Sequence, residues 1–211
     1  MEYKFDTFVN SSNMRITNMV RQGSIVLDVG CASGYLANRL KVEKKCLVYG
    51  IEIDSEMAAR ASNSCEKVFL GDIENLCLPE RYYNFFDYII FGDVLEHTKS
   101  PEIVLNNYLK YLKKDTGNII ISLPNCAYWL MRLSLLFGKF NYKDCGIMDR
   151  THLRFFTKKT AIEMIKKCNL EITGIKYPGR ISHYVRIFPA LFAYQFLFLC
   201  SLNSESVSGK R

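Results

Sequence analysis

Short apolar runs alternate with amphipathic stretches along the first half of this chain, and no other feature of the sequence constrains the fold as much. The alternation is typical of repeated βαβ units, which form a parallel sheet covered by helices on both faces. The apolar runs predict five strands, at 25–29, 47–53, 67–70, 85–91 and 117–123. We therefore expect an α/β fold in which ligands bind outside the carboxyl ends of the strands.

The stretches between these runs predict helices whose starts are marked by capping residues. Hydroxyl side chains that can accept hydrogen bonds from the first free amides precede three of them, and these caps are Ser55, Ser100 and Thr157. The helix after Ser100 is expected to include Lys113 and Lys114, whose charge suits a helix C-terminus, and to end before Gly117.

The length and composition indicate one soluble domain. The chain has 211 residues, of which 49% are hydrophobic and 23% charged, enough for one packed core but short for two. It contains no internal repeat and no linker. We expect a single domain over 1–203 and a flexible tail over 204–211.

Charge and cysteine content narrow the classes of function. The net charge of +7 suits an acidic substrate, nucleic acid or an anionic membrane surface, and equally a solvated basic surface with no binding role. The eight cysteines form no C-x-x-C pair and no histidine stands at ligand spacing, so the sequence predicts no metal site. The first twenty residues lack the apolar run of a signal peptide. We therefore expect reduced thiols in a cytoplasmic protein.

The loop in VLDVGCASGYL, residues 26–36, follows the first predicted strand. It fits the dinucleotide-binding fingerprint poorly, because Ala32 and Tyr35 stand where that motif has its second and third glycines, and it lacks the G-K-[ST] ending of a Walker loop. What remains is an acid, Asp28, followed by Gly30 for a tight turn and by Gly34, where a ligand or a helix must approach closely.

Acidic residues also follow the next two predicted strands. Glu52 stands at the end of the second strand, from which a carboxylate can bind both hydroxyls of a ribose. Asp72 follows the third strand. Each acid alone also fits a helix cap or an exposed turn, but together with Asp28 they converge on one cleft at the ends of successive strands.

These motifs resemble those of the class I S-adenosylmethionine-dependent methyltransferases, over residues 10–200. The resemblance implies a Rossmann-like, mostly parallel sheet of seven strands, with one antiparallel strand near the C-terminus and helices on both faces. It implies S-adenosylmethionine as the cofactor and transfer of its methyl group to a small acceptor.

The resemblance also assigns parts of the cofactor to residues of this chain. It implies that Asp28 positions the methionine end, Glu52 holds the ribose, Asp72 lies near the adenine amino group, and GDVLEH (92–97) faces the sulfonium. Cys31, within the loop, is expected to fill space beside the cofactor rather than act as a nucleophile. The cofactor-binding residues implied in this way are Asp28, Gly30, Cys31, Gly34, Glu52, Ile53, Asp72, Ile73, Gly92 and Asp93.

An insertion over 124–157 separates the fifth strand from the next helix. Its first part, 126–137, is rich in Leu, Met and Trp and predicts a helix packed on the sheet. Its second part, DRTHLRFFT (149–157), concentrates ionisable side chains that a mere connection does not need. It resembles a segment of small bacterial methyltransferases, some of them associated with cell-surface polysaccharide synthesis, in which this region lies over the substrate side of the cleft.

Two histidines compete for the role of general base. His97 follows the fourth strand, whereas His152 belongs to the insertion and approaches from the acceptor side; either imidazole can take a hydroxyl proton at neutral pH. We favour His152, because in an in-line transfer the acceptor's proton points away from the sulfonium. Arg150 and Arg154 are expected to bind an anionic acceptor.

The apolar segment at 188–202 is shorter than the ~20 residues that span a bilayer. Phe and Leu around a single Gln195 suit a buried central strand, although a segment lying on a membrane surface is an alternative.

The predicted function is methyl transfer to a small acceptor, in particular an oxygen of a sugar or related metabolite. The alternatives are a metabolite carboxylate or phenol as acceptor, and a non-catalytic cofactor-binding subunit that regulates a partner. The sequence argues against nucleic acid as acceptor, because the amino-methylating N-P-P-[YF] motif is absent after the fourth strand. The oligomeric state stays open.

Overall fold

The computed structural model describes residues 7–178 and 183–203, so the predicted tail at 204–211 lies outside the described residues. The described part contains seven strands, which are β1 (Ile25–Val29), β2 (Leu47–Glu52), β3 (Lys67–Leu70), β4 (Tyr88–Gly92), β5 (Asn118–Pro124), β6 (Leu170–Lys176) and β7 (Gln195–Leu202). Its α-helices are α1 (Thr7–Met19), α2 (Tyr35–Lys44), α3 (Ser55–Ala61), α4 (Pro101–Leu109), α5 (Trp129–Leu136), α6 (Lys158–Lys167), α7 (His183–Ile187) and α8 (Pro189–Phe192).

The strands form one sheet in the order β3-β2-β1-β4-β5-β7-β6. The first five are parallel, and β7 runs antiparallel to both of its neighbours. The predicted Rossmann-like fold of seven strands is therefore confirmed. Because the chain order reverses between β1 and β4, the crevice at their carboxyl ends is where a sheet of this kind binds ligands.

Two apolar clusters cover the sheet, one on each face. Successive residues of a strand point to opposite faces, so that Val26 packs with α1 and α2 on one side and Leu27 with α4 and α6 on the other. Both side chains are fully buried. Burial of each such side chain stabilises the fold by roughly 1.5–3 kcal/mol. This packing holds the strands in place, and the carboxyl ends of these strands form the ligand crevice.

Two predicted caps differ from the structure. The cap of α3 is Asp54 rather than Ser55, because the Asp54 carboxylate stands one residue earlier and accepts from the amides of Glu56 and Met57 at 2.8 and 2.9 Å. Ser100 stands at the N-cap of α4, but its side chain makes no capping hydrogen bond. Thr157 caps α6 as predicted, in a reciprocal pair with Thr160.

The helix after Ser100 ends at Leu109 and does not reach Lys113 and Lys114. The chain instead pairs with the segment before β4, where the Tyr111 carbonyl accepts from the amides of Phe85 and Phe86 and the Phe86 carbonyl accepts from Lys113. This pairing also explains why β4 begins later than predicted. Long-range backbone hydrogen bonds override the local helical pattern here.

The helix predicted over 126–137 forms as α5, but the prediction that it packs on the sheet is wrong. None of its residues is buried, and Leu136 and the following Phe137 are 77% and 70% exposed. Other helices already cover both faces of the sheet, and α5 belongs to the insertion beyond the end of β5.

The apolar segment at 188–202 forms α8 and then β7, which lies between β5 and β6 as the predicted buried central strand. Phe196, Leu197 and Phe198 are fully buried within the protein, so this strand is not available to a membrane surface. No helix in the described parts of the chain has the length and apolarity needed to cross a bilayer.

Candidate functional site

An open cavity of about 210 Å³ lies at the carboxyl ends of β1 and β4, where the chain order reverses. Five residues predicted to bind the cofactor form part of its wall, namely Asp28, Gly30, Cys31, Gly92 and Asp93. The rest of the wall is formed by residues of α1, of the loop after β1 and of the start of α2, namely Asn13, Ile16, Ala32, Ser33, Tyr35 and Leu36. Sequence analysis missed the α1 residues, because this helix precedes the first motif and nothing in its pattern marks a ligand.

The two loop glycines serve different purposes. Gly30 has φ +74°, and a Cβ there would lie 2.8 Å from Val94 Cγ2, so only glycine lets the chain turn at the cavity wall. Gly34 has φ +79°, and its Cβ would lie 2.9 Å from the Ala61 Cα. Gly34 therefore allows α3 to approach the start of α2, and it does not line the cavity.

Glu52 ties the loop after β1 to the end of β2. Its Oε2 accepts from the Ala32 amide at 2.8 Å, and its Oε1 accepts from the amides of Ile53 and Asp54 at 2.9 and 3.0 Å. A carboxylate offers about four acceptor positions, so these bonds leave room for a further donor. The ribose-binding role of Glu52 stays a prediction, to which the structure adds a role in shaping the loop.

Asp28 is a buried carboxylate in the cavity wall, with 3% of its surface exposed. Burial, and secondarily the nearby Glu52, raise the pKa of Asp28 to about 7. A positively charged ligand group in the cavity would favour the ionised form. The site is therefore suited to a cationic ligand.

Cys31 lines the cavity, and its thiol packs closely against β2. A Cβ at Gly50 would lie 2.5 Å from the Cys31 Sγ, which shows how closely the thiol contacts β2. A hydrogen bond with Cys65, together with burial, raises the pKa of the Cys31 thiol. A neutral, enclosed thiol is a poor nucleophile, which supports the expected space-filling role.

Three of the residues predicted to bind the cofactor, Asp72, Ile53 and Ile73, lie outside the cavity wall. Asp72 accepts from the Glu74 amide at 2.9 Å and from the Asn75 side chain at 3.1 Å, so it orders its own turn. Ile53 is 68% exposed, and Ile73 packs against the core. Their contacts with the cofactor stay predictions.

Asp93 is held at the cavity in a left-handed conformation that is rare for residues other than glycine, with φ +56°. Its Oδ1 accepts from the Ser122 hydroxyl at 2.6 Å and from the Gln195 amide. Such strain costs about 1–3 kcal/mol and is typical of functional sites. Sequence analysis placed Gln195 in a strand but did not connect it with Asp93.

The structure brings the two competing histidines together. The rings of His97 and His152 lie 4.7 Å apart between centroids, in an edge-to-face arrangement. The Nδ1 of His152 contacts the Ile147 carbonyl at 3.1 Å, and that of His97 contacts the Thr151 carbonyl at 3.2 Å. Burial and the neighbouring His97 lower the pKa of His152, which favours a neutral imidazole.

Glu96 is a site residue that sequence analysis missed. Its side chain is only 1% exposed, and its Oε2 has no hydrogen-bond partner among the described residues. Burial and Asp93 raise the pKa of Glu96 well above its usual range. The Glu96 carbonyl accepts from the amides of Leu153 and Arg154 at 2.9 Å each, which anchors the insertion over the site.

The two arginines predicted to bind an anionic acceptor already have partners. Arg150 pairs with Asp144 at 2.9 Å on the surface, and the Arg154 guanidinium donates to the Lys99 carbonyl. Both residues are exposed beside the histidines. An acceptor would compete with these contacts, and the role of both arginines in binding it stays a prediction.

The chain is similar to proteins of known family. The sequence profile of a family described as methionine biosynthesis protein MetW matches residues 11–199. A curated relative, the ubiquinone biosynthesis O-methyltransferase of Neisseria meningitidis, is 29% identical over 108 residues, which cover 49% of this chain and 45% of that protein. The chain thus matches less than half the length of this relative.

Solved structures resemble nearly the whole chain. A SAM-dependent methyltransferase from Archaeoglobus fulgidus is 16% identical with a TM-score of 0.65, over 94% of this chain and 99% of the other. The magnesium protoporphyrin IX methyltransferase ChlM from Synechocystis, solved with bound SAH, is 16% identical with a TM-score of 0.62, over 93% and 83%. These likenesses show the class I methyltransferase fold.

Proposed function

This chain belongs to the MetW family, and on that basis we propose that it is an S-adenosylmethionine-dependent methyltransferase acting on a small acceptor. One observation carries the proposal: a cavity at the reversal between β1 and β4 presents the carboxyl groups of Asp28 and Asp93. The cofactor has a cationic ammonium and a cationic sulfonium, which two carboxylates complement. Gly30, with φ +74°, lets the loop turn at the wall of this cavity.

The reaction is an in-line displacement. S-adenosylmethionine would supply the methyl group to an acceptor oxygen, and S-adenosylhomocysteine would be the leaving group. Alignment of the acceptor oxygen, the methyl group and the sulfur supplies most of the rate enhancement. The hydroxyl proton passes to an imidazole of the His97 and His152 pair, with His152 favoured because it comes from the insertion on the acceptor side.

The proposed acceptor is an oxygen of a sugar or related metabolite, and the proposed location is the cytoplasm. Cell-surface polysaccharide synthesis is a candidate pathway for this reaction. The eight cysteines are all free thiols, which supports the location. A phenol is the second candidate acceptor, because the Neisseria relative is named as an O-methyltransferase of ubiquinone biosynthesis.

Methyl-labelled S-adenosylmethionine, incubated with the purified chain and separate pools of sugar nucleotides, phenols, metabolite acids and cell-envelope extract, tests the proposal. Label transferred to one pool identifies the acceptor class. Binding without transfer to any pool would instead support a regulatory cofactor-binding subunit. Tighter binding of NAD than of S-adenosylmethionine would contradict the cofactor assignment.

Cofactor affinity is expected to depend on pH through Asp28. Only the ionised carboxylate attracts the cofactor's ammonium, and its pKa in the free protein is about 7. Affinity should therefore rise by up to ~10-fold per pH unit below that value and level off above it. Calorimetry with S-adenosylhomocysteine from pH 6 to pH 8 measures the slope; Asp28→Asn should abolish it, whereas exposed Asp115→Asn should not. A flat wild-type profile contradicts this role.

Acceptor affinity is expected to fall with added salt if the acceptor is anionic. Arg150 and Arg154 lie in a basic part of the sequence, 149–186, of which Arg180 is outside the described residues. Exposed charges are screened over ~10 Å at 0.1 M salt, so the KM of an anionic acceptor should rise. Arg150→Gln should reduce the dependence of KM on salt. A KM that does not change with salt would show that both arginines belong to a solvated surface with no binding role.

A further inference from the structure

Three side chains with metal-binding atoms converge beside the cavity. One carboxylate oxygen of Glu96 and one ring nitrogen each of His97 and His152 all lie within 4.8 Å of one another. Glu96 and His97 belong to the short 3₁₀ helix Leu95–His97 after β4, whereas His152 belongs to the insertion. The sequence shows no metal-ligand spacing, because the fold alone brings these two segments together.

One oxygen of the buried Glu96 carboxyl, Oε2, lacks a hydrogen-bond partner among the described residues. The side chain as a whole is 1% exposed. A buried carboxyl oxygen without a partner costs free energy, so native proteins almost always supply it with a donor or a cation. The neighbouring Asp93 is also acidic, which adds to the demand for positive charge.

The two imidazoles are oriented as metal ligands usually are. A carbonyl oxygen only accepts hydrogen bonds, so the contacts of His152 Nδ1 with Ile147 and of His97 Nδ1 with Thr151 place the ring protons on Nδ1. The lone pair of each ring is then on Nε2. Histidines that bind metals almost always donate their other ring N–H to a carbonyl or carboxylate in this way.

Asp149 extends this support behind His97. The Thr151 hydroxyl lies 3.1 Å from His97 Nδ1 and donates to the Asp149 Oδ1 at 2.6 Å, while the Thr151 amide donates to the same oxygen at 2.8 Å. A chain of hydrogen bonds therefore runs from the imidazole through Thr151 to a carboxylate. Such second contacts fix the ring orientation that a metal ion requires.

We propose that Glu96, His97 and His152 bind one divalent transition-metal ion of the Zn²⁺ class. Two imidazoles and a carboxylate form the donor set of catalytic zinc sites and of other three-ligand sites that keep a position open. Ligand atoms around such an ion lie closer together than 4.8 Å, so a small inward movement is needed. His97 is exposed on its short helix and provides an entry path.

Binding of the ion rests on this geometry alone, whereas its use in catalysis rests on the proposed function. An acceptor hydroxyl bound to the ion would lose its proton to solvent water more readily, because the metal would stabilise the alkoxide. In the loaded protein the two histidines are ligands, and the ion replaces a free imidazole in activating the acceptor. Asp93 connects the cluster with the cavity, since it lines the cavity and stands shortly before Glu96 in the chain.

Calorimetric titration with Zn²⁺ tests the site in a Cys77→Ser, Cys145→Ser background, which removes the two exposed thiols. One ion per chain is expected to bind, with affinity reduced at least ~100-fold in Glu96→Gln, His97→Ala and His152→Ala. His183→Ala is the matched control, because His183 is the third histidine of the chain and lies outside the cluster. Equal affinity in all variants, or no binding to the wild type, overturns the proposal.

A milder variant and a spectrum protect the test against misfolded variants. Thr151→Val removes only the hydroxyl behind His97 and should weaken Zn²⁺ about tenfold. The absorption spectrum of Co²⁺ bound to the wild type should show nitrogen and oxygen ligands, and a thiolate band would overturn the assignment. The affinity for S-adenosylhomocysteine is measured on the same samples. A wild type that binds Zn²⁺ but not S-adenosylhomocysteine contradicts the proposed function alone. A wild type that binds S-adenosylhomocysteine but not Zn²⁺ contradicts the metal site alone.

Discussion

Replacing His152 by alanine lowers the rate of methyl transfer by about 10²–10⁴-fold and leaves cofactor affinity unchanged. The imidazole lies on the insertion, 4.7 Å from the His97 ring, and forms no part of the cavity wall. Its removal therefore deprives an oxygen acceptor of the group that promotes loss of its proton, without disturbing the cofactor. Turnover with labelled S-adenosylmethionine and calorimetry with S-adenosylhomocysteine measure the two effects separately.

His97→Ala and His183→Ala complete this experiment. His183 lies outside the cluster, so its variant should keep full turnover. If activity survives in His152→Ala but collapses in His97→Ala, the roles of the two residues are reversed. If both variants stay active, the acceptor is a group such as a carboxylate that needs no base.

A chelator then separates the two ways in which His152 can act. Wild-type turnover that survives complete removal of metal ions assigns proton transfer to the free imidazole. Turnover that is lost with the chelator and restored by Zn²⁺ assigns activation of the acceptor to the ion. The His152→Ala variant should be slow under both conditions, because the side chain is required in either case.

The strand pattern made most of the sheet predictable from the sequence. A strand buried on both faces is apolar throughout, which makes it visible as an apolar run. The predicted bounds of β1 and β3 are those of the structure, and the predicted bounds of β2 and β5 differ from it by one residue. Thr157 was predictable as a cap because its hydrogen bonds are local. Asp28, Gly30 and Asp93 reached the cavity wall because strand ends meet at one edge of a parallel sheet.

Long-range contacts set the limits of that prediction. The early end of α4 depends on pairing between Tyr111 and the segment before β4, which no local pattern reports. The contact of Gln195 with Asp93 requires β7 to lie beside β5 in one register. Helix α5 is exposed because other helices already cover both faces of the sheet. Its own apolar sequence does not indicate this exposure.

Glu96 illustrates the same limit at the site. Glu96 stands in the motif GDVLEH next to His97, which sequence analysis named as a candidate base. The burial of Glu96 and its unpartnered oxygen are seen only in the structure. His152 reaches it because the amides of Leu153 and Arg154 donate to the Glu96 carbonyl and dock the insertion there. A cluster built by such docking leaves no spacing for sequence analysis to detect.

Replacing Glu52 by alanine is expected to weaken cofactor binding by about 1–3 kcal/mol, because the ribose hydroxyls lose their acceptor. The structure adds a second effect. The amides of Ala32, Ile53 and Asp54 lose their acceptor as well, so the melting temperature should also fall. Glu56→Ala is the matched control, because that exposed acid on α3 forms a surface ion pair with Arg60 and should change neither quantity.

Two further comparisons separate contact with the ribose from support of the loop. Glu52→Gln keeps the volume and one acceptor oxygen, so the stability of the loop should fall less than in the alanine variant. Some loss is still expected, because the NH₂ group of glutamine cannot accept from the Ala32 amide. The decisive ligand is an S-adenosylhomocysteine analogue that lacks the ribose hydroxyls. If Glu52 binds the diol, removing the hydroxyls weakens binding to the wild type but not to Glu52→Ala, and the two changes are not additive. Additive losses would show that Glu52 acts only by shaping the loop.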